Sequence, residues 1–168
     1  RRAVNAGGFL ACLAMLAYAV FYAERVLGLE PCPLCMFQRV GVAILGAVFL
    51  LAALHDPRGR AGARAYAVLL PAAALIPAYV AGRHVYIQSL PAGSVPSCGA
   101  TLDYMLEVFP LLEVVRRVLT GGGECAVVDW SFLGLSMPAW VLICVVVLAI
   151  VGVVANWNVA RDPGPRFA

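Results

Sequence analysis

A pair of cysteines marks the start of an apolar segment in the stretch EPCPLCMFQR, residues 30–39. The apolar run continues from about residue 36 to residue 54, and a helix of roughly 20 residues is enough to cross a bilayer. Proline is favoured in the first turn of a helix, so Pro33 predicts that the helix begins there. Cys32, Cys35 and Arg39 would then share one helix face, with Arg39 one turn after Cys35. The stretch therefore predicts thiol chemistry at a membrane interface.

The composition places the whole chain in a membrane. Of its 168 residues, 63% are hydrophobic and only 12% are charged, and a soluble domain of this size could not bury so much apolar surface. Four segments are apolar enough to span a bilayer, at about residues 5–27, 36–54, 65–80 and 137–157. They predict an all-α integral membrane protein, a four-transmembrane-helix bundle formed by one domain over residues 1–168. The third span contains two prolines, which neighbouring helices would have to accommodate.

The arginines predict how the bundle is oriented. They precede the first span, crowd the short connection between the second and third spans, and follow the last span: Arg1, Arg2, Arg58, Arg60, Arg64, Arg161 and Arg166. Because positively charged loops stay in the cytoplasm, both termini should be cytoplasmic. The loops at about residues 28–35 and 81–136 should face outward. The longer one carries an amphipathic stretch at residues 102–119, divided by Pro110, that could lie as a short helix on the membrane surface.

The net charge of the chain gives no indication of nucleic-acid binding. The formal charge is only +3, and the basic residues are scattered rather than clustered on one segment. We therefore expect no nucleic acid among the partners.

Six cysteines divide into two groups. Cys12 and Cys144 lie inside apolar spans and should behave as small hydrophobic residues. The other four cysteines all fall on the outward-facing side: Cys32, Cys35, Cys98 and Cys125. Because disulfides persist there, we expect two disulfide pairs. Four cysteines allow three connectivities, and the sequence does not decide among them. Glycine-rich, turn-prone surroundings at Cys98 and Cys125 predict an exposed, flexible bridge that can rearrange.

A metal site is not predicted. Zinc sites also use two cysteines separated by two residues, but they need further ligands close by. With only two histidines in the chain, His55 and His84, a histidine-rich site is excluded.

Two sequence strings, together with the four-span plan, resemble the bacterial disulfide bond formation protein B family, DsbB. The strings are CPLCMFQR at residues 32–39 and FLGLSMP at residues 132–138, and the resemblance covers essentially the whole chain. It implies a protein-dithiol:quinone oxidoreductase of the bacterial inner membrane with its redox loops in the periplasm. Its partners would be a DsbA-like periplasmic thiol oxidase, membrane lipid and a quinone, either ubiquinone or menaquinone.

The resemblance also implies a catalytic role for each of the four outward-facing cysteines. Cys98 would receive the thiolate of the DsbA-like partner, and Cys125, paired with Cys98, would pass electrons to Cys32. Cys35 would be the cysteine next to the quinone. The same resemblance makes Arg39 and His84 quinone-binding residues. Met137, at the head of the fourth span, could border the quinone pocket or belong to the packed core.

Two alternative functions remain open at this point. One is a specialised relative that serves a dedicated thiol oxidase partner. The other is a non-enzymatic membrane protein whose outer disulfides only link loops. The close spacing of Cys32 and Cys35 argues against the second alternative, because a disulfide across two residues closes too short a loop to stabilise a fold much.

Overall fold

Four long helices form the body of the protein. The computed structural model describes residues 1–57, 59–91, 94 and 102–159. In chain order the helices are α1 (Arg2–Ala17, continued by a π-helical segment, Tyr18–Glu24), α2 (Pro33–His55), α3 (Arg60–Gln88), α4 (Leu102–Val108), α5 (Leu111–Thr120), α6 (Gly123–Ala126) and α7 (Met137–Val159). Four stretches, Arg2–Glu24, Pro33–His55, Arg60–Gln88 and Met137–Trp157, are long and apolar enough to cross a membrane. The predicted all-α, four-span architecture is confirmed.

The connection between α3 and α7 contains the short elements. The predicted amphipathic stretch forms α4 and α5, separated at Pro110. Val114 and Val118 of α5 are buried, whereas Leu111 and Leu112 at its start are exposed. A two-residue antiparallel hairpin, β1 (Ser131–Phe132) and β2 (Leu135–Ser136), leads directly into α7.

The third span is longer than the sequence predicts. The expected segment was residues 65–80, but α3 has 29 residues, from Arg60 to Gln88, and contains both Pro71 and Pro77. The helix extends beyond the predicted segment at both ends, because the two prolines and the polar residues after Val80 weaken the local apolar signal. Packing on both neighbouring spans keeps the segment helical. The extension of α3 to Gln88 brings a polar helical turn to the cysteine motif.

Close packing of α2 against α3 depends on one glycine. A Cβ atom at Gly41 would lie 2.9 Å from Pro77 Cβ and 3.0 Å from its backbone nitrogen. A side chain cannot be accommodated there without moving one of the helices. The small residue therefore sets the separation of the two helices that carry the motif and His84.

We expect Gly41→Ala to lower the free energy of unfolding by about 1–3 kcal/mol, because overpacking a close helix contact forces backbone shifts. The thermal unfolding midpoint of the purified protein in detergent would measure it. Gly7→Ala is the matched control, since a Cβ at Gly7 meets nothing within 4 Å. Equal midpoints for the two variants would contradict the close contact.

The end of the bundle opposite the cysteine motif is held by polar contacts. Asn5 of α1 and Asn156 of α7, both fully buried, are joined by side-chain hydrogen bonds of 3.0 and 3.3 Å. Arg1 forms an ion pair with Asp56, at the end of α2. The hydrogen bond from Arg1 lowers the pKa of the Asp56 carboxyl. The N-terminus and the α2–α3 connection therefore lie together.

Cys12 belongs to the main core of the bundle. It is 1% exposed and packs in a cluster that includes Val42, Leu45 and Phe49. This burial is consistent with the expectation that it behaves as a small hydrophobic residue.

Candidate functional site

The two cysteines of the motif lie at the N-terminal end of α2. Cys32 is the N-cap residue in an extended conformation, and Cys35 lies in the first helical turn. Both are free thiols and half-buried, and their Sγ atoms are 3.3 Å apart. Two thiols this close can form a disulfide after a small movement, with release of two electrons and two protons.

A histidine from α3 contacts both thiols. His84 Nε2 lies 3.8 Å from Cys32 Sγ, and His84 Nδ1 lies 4.0 Å from Cys35 Sγ. The ring is only 3% exposed. Gln38, one helical turn after Cys35, places its amide nitrogen 2.8 Å from His84 Nδ1. The imidazole is thus held where it can take up or return a thiol proton.

The placement of His84 corrects one expectation. The sequence predicts that this residue lies in the long outer loop, whereas it lies within α3, one turn before its end. The amide contact from Gln38 was not expected. The sequence does contain a signal for the position of Gln38. Its i, i+3 spacing from Cys35 puts the side chains of these two residues on the same side of α2.

A third cysteine is buried against this pair. Cys125, in the single turn of α6, is 2% exposed and shares a core cluster with Leu34, with Cys32 packed at its edge. A hydrogen bond to Cys32, together with burial, raises the pKa of the Cys125 thiol. Cys125 therefore lies beside Cys32, in position for thiol–disulfide exchange with it.

The expectation that Cys125 is exposed is wrong, because its side chain is buried. The preceding glycines allow α6 to dock closely on α3. Gly121 has a φ of +84°, and a Cβ there would lie 2.3 Å from Ile87 Cδ1 of α3. The turn at Gly121 brings the following helical turn onto α3, with Cys125 facing inward. The corresponding expectation for Cys98 falls outside the described residues.

Arg39 forms an ion pair that the sequence analysis did not anticipate. Its guanidinium contacts the carboxylate of Glu24, the last residue of the π-helical segment. It also approaches Met36 Sδ at 3.8 Å. The side chains of Arg39 and Glu24 remain 19% and 28% exposed, so part of the guanidinium can bind another group. The sequence feature that could have predicted this ion pair is the presence of opposite charges at the adjoining ends of two consecutive spans.

A cavity joins these side chains. It has a volume of about 110 Å³ and lies between the motif, the end of the first span and the head of α7. Its lining includes five of the predicted site residues: Cys32, Cys35, Arg39, His84 and Met137. Apolar walls come from Met15, Leu16, Val42, Pro138 and Val141.

The lining of the cavity contains both hydrogen-bond donors and an acceptor without a partner among the described residues. Arg39 supplies N–H donors, and Gln88 Oε1 is buried with no hydrogen-bond partner among the described residues. Glu30, Glu124 and Asp129 also line the cavity. The cavity is therefore suited to an apolar molecule that carries oxygen atoms, held in reach of the thiols.

Comparisons with known proteins agree on one family. The family model described as "Disulfide bond formation protein DsbB" matches residues 1–155. A protein of Methylococcus capsulatus named disulfide bond formation protein B is 50% identical over 154 residues, 92% of this chain and 93% of that protein. A protein of the same name from Marinobacter nauticus is 53% identical, over 86% of this chain and 84% of its own length. Another, from Xanthomonas campestris, is 48% identical, over 95% of this chain and 90% of its own length.

Proposed function

This chain belongs to the disulfide bond formation protein DsbB family, and we propose that it re-oxidises a DsbA-like periplasmic thiol oxidase and delivers the electrons to a membrane quinone. Family membership and the four spans make it a multi-pass membrane protein of disulfide bond formation with a redox role. The partner, the quinone and the path between them are the proposal.

The observation that carries the proposal is the position of Cys35, Cys32 and Cys125 in one connected group. Cys125 belongs to the core cluster against which Cys32 packs, Cys32 lies 3.3 Å from Cys35, and Cys35 lines the cavity. Electrons entering as a pair at Cys125 would pass to Cys32 by thiol–disulfide exchange, since each exchange breaks one S–S bond as it forms another. The resemblance makes Cys98 the residue that receives the partner's thiolate.

The distribution of charge supports a periplasmic location for this group. Arg1, Arg2, Arg60 and Arg64 lie at the end of the bundle where Arg1 pairs with Asp56. The cysteines lie at the opposite end, at the start of α2. With the arginine-bearing end in the cytoplasm, as the positive-inside rule requires, the cysteines face the periplasm of the bacterial inner membrane.

The residues around the cavity fit a quinone. Apolar walls suit a substituted ring, Arg39 can donate to a carbonyl oxygen, and the unpaired Gln88 Oε1 can accept from a hydroxyl of the reduced form. When bound, ubiquinone or menaquinone would supply a two-electron acceptor beside Cys35. His84 would hold a proton near both thiols, and Met137 would close one wall at the head of α7.

An assay with both substrates tests the proposal. Catalytic amounts of the purified protein, mixed with a reduced DsbA-like oxidase and a water-soluble quinone, should oxidise one dithiol for each quinone consumed. Parallel assays with ubiquinone and menaquinone analogues would identify the quinone. Cys125→Ser should stop oxidation of the partner, because the disulfide that accepts its electrons cannot form.

Two results would contradict the proposal. One is oxidation of the partner without consumption of either quinone. The other is full activity of Cys125→Ser with the reduced partner, which would show that electrons bypass Cys125.

A further inference from the structure

Three side chains at the head of α2 converge in the manner of metal ligands. Among the described residues, the sulfur atoms of Cys32 and Cys35 and a ring nitrogen of His84 all lie within 4.8 Å of one another. The sequence alone argued against a metal, because a cysteine pair needs further ligands nearby. The extension of α3 supplies a third ligand from 49 residues along the chain.

The distances are close to those of a tetrahedral zinc site. Bond lengths of about 2.3 Å to sulfur and about 2.0 Å to nitrogen place two sulfurs about 3.8 Å apart and sulfur and nitrogen about 3.5 Å apart. The observed separations are 3.3 Å between the sulfurs and 3.8 Å from Cys32 Sγ to His84 Nε2, and all three ligand atoms lie within 4.8 Å of one another. Movements of about 0.5 Å between the sulfurs and at most about 1.3 Å between sulfur and nitrogen would therefore form the site.

Gln38 provides the second contact that a metal-binding histidine needs. Its amide lies 2.8 Å from His84 Nδ1. A half-turn of the amide presents the oxygen, which accepts the Nδ1 proton and leaves the Nε2 lone pair free toward Cys32. Such partners fix the tautomer and orientation of metal-bound histidines.

The surroundings favour a cation with one open coordination position. The charge of Arg39 is offset by its ion pair with Glu24, and the carboxylates of Glu124 and Asp129 line the same cavity. Cys125 lies in the core cluster beside Cys32, but its sulfur is not among the three ligand atoms that converge. The fourth position faces the cavity and would hold water.

We propose that the dithiol form of this centre binds one Zn²⁺ through Cys32, Cys35 and His84. Two sulfur donors and one imidazole suit Zn²⁺ better than Mg²⁺ or Ca²⁺, which prefer oxygen. Binding converts two thiols to thiolates and releases two protons. A metal-bound pair cannot form a disulfide, so zinc would hold the centre reduced. The inference goes beyond the proposed function and does not depend on the partner or on a quinone.

Zinc binding to the metal-free, reduced protein in detergent tests this inference directly. Every sample carries Cys98→Ser, so that this cysteine cannot contribute a ligand. Titration calorimetry under anaerobic conditions should give one Zn²⁺ per chain, and buffers of different ionisation enthalpy should report release of about two protons. The same protein with Cys32 and Cys35 oxidised to a disulfide should bind zinc at least about tenfold more weakly, because both thiolate ligands are lost.

Variants of the nitrogen ligand separate this site from binding by the cysteine pair alone. His84→Ala should weaken zinc binding at least about tenfold, and Gln38→Ala should weaken it by about 10–100-fold. His84→Cys should restore much of the affinity, since a thiolate is also a zinc ligand. Cys144→Ser is the matched control and should leave the affinity unchanged.

Co²⁺ provides an independent readout of geometry. It should give the intense absorption of a tetrahedral thiolate site in the reduced protein and in His84→Cys, and a weaker band in His84→Ala. Equal zinc affinity of the parent and His84→Ala, or equal affinity of the reduced and oxidised protein, would overturn the inference. Because His84→Cys keeps a ligand, its result remains decisive if His84→Ala fails to fold.

Discussion

Cys35→Ser is expected to abolish quinone reduction by the chemically reduced protein, with a loss of about three orders of magnitude or more, as when a nucleophile is removed. Cys35 lines the cavity together with Arg39, and it lies on the membrane span itself. A serine at this position cannot form a disulfide with Cys32 or pass on a pair of electrons. The rate of quinone absorbance loss in a single turnover would measure the effect.

Two control variants show whether the loss of quinone reduction is specific to Cys35→Ser. Cys98→Ser, reduced chemically at Cys32 and Cys35, should still reduce quinone at close to the normal rate, because only the entry of electrons from the partner is removed. Cys144→Ser replaces a thiol on α7 that does not line the cavity and should have no effect. Equal loss of quinone reduction in Cys35→Ser and Cys98→Ser would refute the division of roles between the two cysteine pairs.

Arg39→Ala is expected to raise the quinone KM by about 10–100-fold, equivalent to losing a charge-assisted hydrogen bond of about 1.5–3 kcal/mol. Arg39→Lys should raise it by a smaller but measurable factor, since lysine lacks the planar set of N–H donors. The KM for the reduced protein partner should change little in either variant. Steady-state kinetics with each substrate varied in turn would measure both constants.

The ion pair with Glu24 provides the decisive control. If Arg39 acts only as the partner of Glu24, then Glu24→Gln should raise the quinone KM as much as Arg39→Ala does. If Arg39 binds the quinone itself, Glu24→Gln should have a much smaller effect, because the guanidinium is still present at the cavity. The unfolding midpoints of both variants would show whether the loss of the pair also destabilises the protein.

The site around His84 shows which contacts can be predicted from local sequence patterns and which cannot. Pro33 and the cysteine spacing predicted the start of α2 and the shared face of Cys32, Cys35 and Arg39, because both depend on residues within two helical turns. The contact of His84 with Gln38 joins residues 46 positions apart. No periodicity within one helix encodes such a contact, which depends on how closely α2 and α3 approach each other.

The membrane architecture follows from the amino-acid sequence alone, because a bilayer forces each span to satisfy its own backbone hydrogen bonds and to be apolar along its length. Those are properties of a single segment. Tertiary packing sets the length of α3, the burial of Cys125 and the pairing of Arg39 with Glu24. Two close contacts in this packing are made at glycines: Gly41 against Pro77, and Gly121 against Ile87. In a sequence, a glycine predicts a flexible backbone. Where another helix lies within van der Waals distance, however, the glycine is the point at which the two segments pack most closely.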